Sequence, residues 1–398
     1  TPFYLNTEAR PWIHAADSPR RAAVNAFGFG GINAHAILEE HGEAPEQFNS
    51  EWDSEALLIG ADSREALLLE MARVKAFLEK EKEASLKDLA YTLSLSADKP
   101  FRLSMVVGSI EEAVRKLVYA SDKLKDPSVR RIRDKSGIYY FEERPVEGGK
   151  VAFLFPGEGS QYAGMLSDLC IAFPEVRSVF DLVDRAFGKR KRDYLPSHTV
   201  FPLPLGQDSG AERLWKMDAA AESVFTASQA LIKLMELLKI KPDAMLGHST
   251  GEYSALLASR TIDLKGDDGF VDFVLGVNAV YEELAKAGRI KEGALLTVGA
   301  LDRDRLASVV DLSNGRVFVA MENCPNQAVL CGEEEDIAAA ESALKGTGAI
   351  SLRLPFARAY HTPLFSEVSD ALRKHFDTVS VKPSEVAVYS CVTASVYP

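Results

Sequence analysis

Cysteine is scarce in this chain: four among 398 residues, Cys170, Cys324, Cys331 and Cys391. They form neither a CxxC pair nor the dense framework of a small disulfide-held domain, so reduced thiols in a cytoplasmic protein are expected. No apolar run is long enough to span a membrane, and no signal peptide is recognisable, so no membrane partner is expected. Positive charge is also in short supply. The 46 Lys and Arg against 58 Asp and Glu leave a net charge of −12. A chain without a basic face binds polyanions poorly, which sets nucleic acid aside as a partner. Two short basic runs, Arg130–Arg133 and Lys189–Arg192, read as solvated loops, with docking of an acidic protein as the other reading. No metal site is expected.

What is present is an ordinary globular mixture, 46% hydrophobic, and long enough for two or three cores. Residues 2–5 read as a strand immediately after Thr1, so the chain is expected to be a piece of something longer. Residues 22–39 read as strand, glycine turn (Gly28, Gly30, Gly31) and strand. Such a segment cannot build a core alone and must pack on another body. After a polar linker, residues 54–142 read as a small sheet with helices on one face, the first helix being capped by Ser63.

From Val151 the pattern changes. Val151–Phe155 is an unbroken apolar run, expected in a sheet buried on both faces, and ends in a turn at Pro156–Gln161. A long amphipathic helix is expected over Ala220–Leu238, then a brief strand at Asp243–Leu246 and a helix over Thr250–Ser259. Residues 293–354 read β-α-β-β-α-β, the ferredoxin-like order, as an insert in the larger domain.

Gly247-His248-Ser249-Thr250-Gly251 places a serine in a strand-to-helix turn between glycines, the nucleophile-elbow pattern. The following helix offers free N–H groups to an oxyanion. A serine needs a base, and the chain has seven histidines. His248 adjoins the serine with its ring directed away, which suits packing or hydrogen bonding. His35 lies in the hairpin and reads as structural. His361 follows a strand end downstream of the serine, the chain order of α/β-hydrolase-like sites, and is the best-placed base.

These residues resemble a known family. Gly247–Glu252 is similar to the GHSxGE signature of acyltransferase domains in polyketide and fatty-acid synthases, including polyunsaturated-fatty-acid types. Phe155–Gln161 resembles their GQGSQ loop, Asn323–Gln327 their NSPxQ stretch, and Tyr360–Leu364 the HSPL run. Residues 1–43 resemble the C-terminal end of a ketosynthase (GFGGxNAH), 44–148 the ketosynthase–acyltransferase linker, and 149–398 the acyltransferase. The implied fold is an α/β-hydrolase-like large subdomain with a ferredoxin-like insert, preceded by a small α/β linker domain.

The resemblance implies a Ser249–His361 dyad that takes an acyl group from acyl-CoA and gives it to the phosphopantetheine thiol of an acyl carrier protein. It implies backbone N–H groups of Glu158 and Thr250 as the oxyanion hole. It implies Asn278, Arg358, Tyr360, Gln161 and Asn323 as substrate-binding residues, and no permanently bound cofactor. The rest of the synthase, its ketosynthase included, is the implied partner. The family usually continues beyond the position of Pro398, where a carbonyl that orients the histidine is expected to lie.

Three departures bear on the substrate. Asn278 falls where malonyl-type members carry an arginine that clamps the substrate carboxylate. Glu158 replaces a glutamine and adds negative charge. Arg358, three before the histidine, has two readings: a partner for Glu158, or a substitute clamp from the opposite wall. Bulky Tyr360 resembles the malonyl pattern. An unpaired buried carboxylate is costly, so an uncharged acyl group is the favoured expectation. Malonyl transfer through Arg358, an acyl thioesterase on the same dyad, and a decayed scaffold piece are the alternatives.

Overall fold

The computed structural model describes residues 4–15, 18–41, 52–81, 83–142, 148–188, 194–203, 212–355 and 357–398. The chain divides into two compact units, residues 1–43 together with 150–398, and residues 44–149.

In the first unit, β1 (Arg21–Phe27) and β2 (Asn33–Glu39) pair antiparallel in full register. The turn is closed by Gly28 N–H to Ile32 O at 2.8 Å, with Gly30 and Gly31 at φ 102° and 89°. Both strands and the turn between them are almost wholly exposed, Phe27, Ile32 and Ile37 included. Residues 4 and 5 are irregular rather than the expected strand.

The unit of residues 44–149 contains β3 (Glu55–Ala61), α1 (Arg64–Lys80), α2 (Leu86–Ser94), β4 (Phe101–Val107), α3 (Ile110–Leu124), β5 (Arg131–Asp134) and β6 (Ile138–Phe141). Its antiparallel sheet runs β3-β4-β6-β5. Alternate residues Leu57, Ile59, Leu103 and Met105 bury one face against Leu67, Met71, Leu78 and Leu117. Each fully buried leucine is worth about 1.5–3 kcal/mol over its exposed state. Ser63, Ser85 and Ser109 cap the three helices, each Oγ accepting a backbone N–H in the first turn. The basic run Arg130–Arg133 lies mostly on the edge strand β5, not in a loop; Arg131 and Arg133 face solvent while Ile132 turns inward. Charge on an edge strand discourages pairing with a further chain. Lys189–Arg192 falls outside the described residues.

The remainder of the first unit holds β7 (Ala152–Phe155), α4 (Ser167–Ala172), α5 (Pro174–Gly188), α6 (Pro196–Val200), α7 (Met217–Leu237), β8 (Ala244–Gly247), α8 (Gly251–Ala258) and α9 (Gly266–Lys286). After the insert come α12 (Ser366–Phe376), β13 (Ala387–Ser390) and β14 (Ser395–Val396). The sheet runs β14-β13-β8-β7, with β7, β8 and β13 parallel and β14 antiparallel. This is the α/β-hydrolase-like large subdomain. The apolar run in β7 forms an edge strand, and Leu154 is 70% exposed, so it is not buried on both faces as expected. The central position belongs to β8, which is short because its end must turn into α8.

The insert is β9 (Ala294–Gly299), α10 (Arg303–Asp311), β10 (Val317–Cys324), β11 (Gln327–Gly332), α11 (Glu334–Leu344) and β12 (Ile350–Arg353). Its sheet order, β10-β11-β9-β12 with antiparallel neighbours, is ferredoxin-like. Leu296, Val298, Leu330, Ile337 and Leu344 fill its core.

Candidate active site

Ser249 stands between β8 and α8 at φ 54°, a left-handed conformation that costs a non-glycine residue on the order of 1–2 kcal/mol. Close backbone approach on either side holds it there. A Cβ on Gly247 would lie 2.3 Å from the backbone of Glu252. One on Gly251 would lie 2.3 Å from Phe155 O and 2.6 Å from Pro156 O. The elbow glycines are therefore explained by strand and helix crossing within contact of one another. Glu252 ties the start of α8 to the segment just after β14, accepting from the Tyr397 hydroxyl at 2.8 Å.

The Ser249 hydroxyl and His361 Nε2 are 2.8 Å apart, across 112 residues of sequence. His361 is itself at φ 56°, so both partners occupy strained backbone. Its loop is pinned by Thr362 Oγ1, which donates to Ala359 O at 2.7 Å. His361 keeps some exposure, yet its pKa is lowered, chiefly by burial and further by nearby His248, with Glu252 opposing. A neutral imidazole at that distance is set to accept the hydroxyl proton. Among the described residues no protein acceptor is recorded for His361 Nδ1. His248 turns aside, its Nε2 3.0 Å from Asn323 Oδ1. Asn323 lies at a register shift in β10, between Glu322 and Cys324, and such a bulge re-aims a side chain.

The turn after β7 lies against the elbow: a Cβ on Gly157 would lie 2.7 Å from His248 O. Among the described residues no acceptor takes the backbone N–H of Glu158 or Thr250, so both donors are unengaged. Gln161, expected among the substrate-binding residues, braces this turn. It is 4% exposed, accepts from Gly159 N at 2.8 Å and donates to Leu214 O at 3.3 Å.

Glu158 is not simply a negative charge. Burial pushes its pKa up to about 7, while a hydrogen bond from Tyr360 and the field of Arg358 act the other way. The Tyr360 hydroxyl donates to Glu158 Oε2 at 2.9 Å, and burial beside that carboxyl raises the phenol well above its usual value. Tyr360, not Arg358, is thus the hydrogen-bonding partner of Glu158. Arg358 lines an open cleft of about 740 Å³ together with Lys216, Asp218 and Tyr281.

Asn278 is 4% exposed, and its Nδ2 donates to Glu222 Oε1 at 2.5 Å. Both line a cavity of about 50 Å³ with Asp218, Thr250, Phe273 and Val277. Glu222 is not singled out by any motif in the sequence. The available signal was a carboxylate among small residues of the amphipathic helix α7, on the side that proves buried.

Residues 152–396 match the acyl transferase domain family, and residues 1–106 match the ketoacyl-synthetase C-terminal extension. The chain is 30% identical over 384 residues to the lovastatin nonaketide synthase, polyketide synthase component, of Aspergillus terreus, covering 91% of this chain and 12% of that protein. It spans between 9% and 19% of the length of such curated relatives. The acyl transferase domain of ZmaA shares the fold, with TM-score 0.70 and 22% identity over 88% of this chain and 75% of that one. A malonyl-transacylase solved in complex with a type II polyketide synthase acyl-carrier protein gives TM-score 0.53 and 27% identity, covering 63% and 76%.

Proposed function

Because this chain belongs to the acyl transferase domain family, we propose that it loads an uncharged acyl group from acyl-CoA onto an acyl carrier protein through an ester on Ser249. His361 Nε2 accepts the Ser249 proton as Oγ attacks the thioester carbonyl, and the oxyanion is received by the N–H groups of Glu158 and Thr250. The C–S bond breaks, and the coenzyme A sulfur leaves with the proton from His361. The phosphopantetheine thiol then gives its proton to His361 and attacks the ester, and Ser249 is reprotonated as it leaves. The 2.8 Å contact between Ser249 and His361 in a strained elbow supports this reading most directly. Every proton and bond is assigned to these side chains and two thioesters, so the scheme invokes no resident cofactor.

The uncharged substrate is argued from Asn278 and Glu222. Where a carboxylate clamp is expected, an asparagine is engaged by an acid, and a malonyl carboxylate there would meet like charge. The malonyl alternative rests on Arg358, which lines the neighbouring cleft. The proposal assigns residues 1–43 to the end of a ketosynthase, 44–148 to the linker and 149–398 to the acyltransferase. The exposed apolar side chains of the β1–β2 hairpin suit burial against the rest of a ketosynthase. The acyl-carrier protein bound by the similar malonyl-transacylase supports such a partner here. A cytoplasmic setting suits the four unpaired cysteines. Among the described residues no helix is long and apolar enough to cross a membrane.

Intact-protein mass spectrometry after exposure to mixed acyl-CoAs tests the proposal. One acyl mass on Ser249 is expected, absent in Ser249→Ala and moved to holo-acyl carrier protein on its addition. Rapid free-acid release unaffected by carrier protein marks a thioesterase instead.

A further inference from the structure

The cavity beside the elbow carries more than an absence of positive charge. Two polar atoms in its lining residues are buried without a protein hydrogen-bond partner, Thr250 Oγ1 and Asn278 Oδ1. A buried polar atom left unpaired costs on the order of 1–3 kcal/mol, and such atoms are uncommon in folded proteins. Asn278 has already committed its amide nitrogen to Glu222, so its carbonyl is the end left without a partner. Thr250 is the residue after Ser249, so one end of the cavity lies next to the elbow. The remaining wall is apolar, from Ala221, Phe225, Phe273, Val274 and Val277.

We propose that this cavity selects a short acyl group bearing a hydroxyl, which donates to Asn278 Oδ1 and accepts from the Thr250 hydroxyl. The inference rests on the acyl-transfer reading above and refines its substrate. A hydroxyl is the smallest group that both donates and accepts. A carboxylate only accepts, and it would face the carboxylates of Asp218 and Glu222 with no basic side chain among the described lining residues. A plain alkyl chain would leave both polar atoms buried and unpaired. The volume, about 50 Å³, is room for roughly four water-sized groups at 10–15 Å³ each. That limits the acyl group to about three or four carbons with the hydroxyl. A site built to hydrogen-bond a hydroxyl discriminates against the analogue lacking it far more strongly than an apolar pocket discriminates one methylene.

The test is a competition, read as initial rates of adduct formation on Ser249 by intact-protein mass spectrometry. Malonyl-, butyryl-, 3-hydroxybutyryl- and β-alanyl-CoA are supplied at equal concentration, with both enantiomers of the hydroxylated donor. The 3-hydroxybutyryl adduct is expected to form at least about tenfold faster than the butyryl adduct. Thr250→Val, close in shape, and Asn278→Leu are each expected to bring that ratio towards one. Equal rates for butyryl and 3-hydroxybutyryl, both above malonyl, overturn the hydroxyl inference and leave the uncharged-substrate reading standing. A fastest β-alanyl adduct overturns it in favour of an ammonium group. A fastest malonyl adduct overturns the uncharged-substrate reading and this inference together. Absence of any adduct on Ser249 overturns acyl transfer itself.

Discussion

The hydroxyl of Tyr360 donates to Glu158 Oε2 at 2.9 Å, joining the residue before His361 to the turn whose Glu158 N–H is the proposed oxyanion donor. The carboxyl in this bridge has its pKa pushed up to about 7 by burial, with the Tyr360 bond opposing. It gains its charge across neutrality, where an oxyanion forming on the adjacent N–H feels it most. Ser249 acylation is therefore expected to decline as the pH rises through about 7. Glu158→Gln should remove that decline, and Tyr360→Phe should move it to higher pH by deleting the bond that favours the charged form. Quench-flow acylation between pH 5 and 9 reads all three, and an alkaline limb unchanged in Glu158→Gln would refute the assignment.

The acid side of the same profile belongs to His361. Burial depresses its pKa below the ordinary histidine value of 6.5, so the neutral base persists into mildly acidic solution. The rate is expected to fall only as the pH drops through that lowered value. His361→Ala should cost about 10²–10⁴-fold in acylation rate and abolish this limb. A limb centred above pH 6.5 would assign the base to another group.

Gly251 is required for space. An alanine Cβ would press on the carbonyl oxygens of Phe155, the last residue of β7, and of Pro156 after it, which are backbone and not the end of a flexible side chain. Gly251→Ala is expected to destabilise the protein by about 3 kcal/mol or more, beyond ordinary overpacking. Gly288, at φ 65° with open space around it, serves as the comparison. Gly288→Ala should cost only about 1–2 kcal/mol of backbone strain. Urea unfolding of both variants measures the difference, and equal losses would contradict the steric account.

Restoring a clamp should require two changes. Asn278→Arg alone places a guanidinium beside Glu222, which would take it as an ion pair before any substrate arrives. Asn278→Arg with Glu222→Gln leaves the guanidinium available. The double variant is expected to form the malonyl–Ser249 adduct at least about tenfold faster than either single variant. Equal rates in the Asn278→Arg single variant would show that Glu222 does not hold the position.

The elbow is legible in the sequence because its constraints are local. Two glycines, a strand ending and a helix beginning lie within six residues, and each has a short-range physical cause. The ferredoxin-like insert was legible for a related reason, since its alternating strand and helix periods are written in consecutive segments. Val151–Phe155 misled because composition reports apolarity without reporting which side of a sheet a strand will occupy. Arg130–Arg133 misled likewise, since a charged run suits an edge strand as well as a loop.

The amino-acid sequence by itself determined that Ser249 sits in a tight glycine-flanked turn and that Asn278 cannot neutralise a carboxylate. Those are properties of residue type and near neighbours. Only the tertiary structure decided what each side chain meets: His361 at Ser249, Tyr360 at Glu158, and Glu222 at Asn278, the last pair 56 residues apart. The reason is that a pKa or a hydrogen-bond partner is set by distance and burial, and packing brings together groups whose separation along the chain carries no record of it.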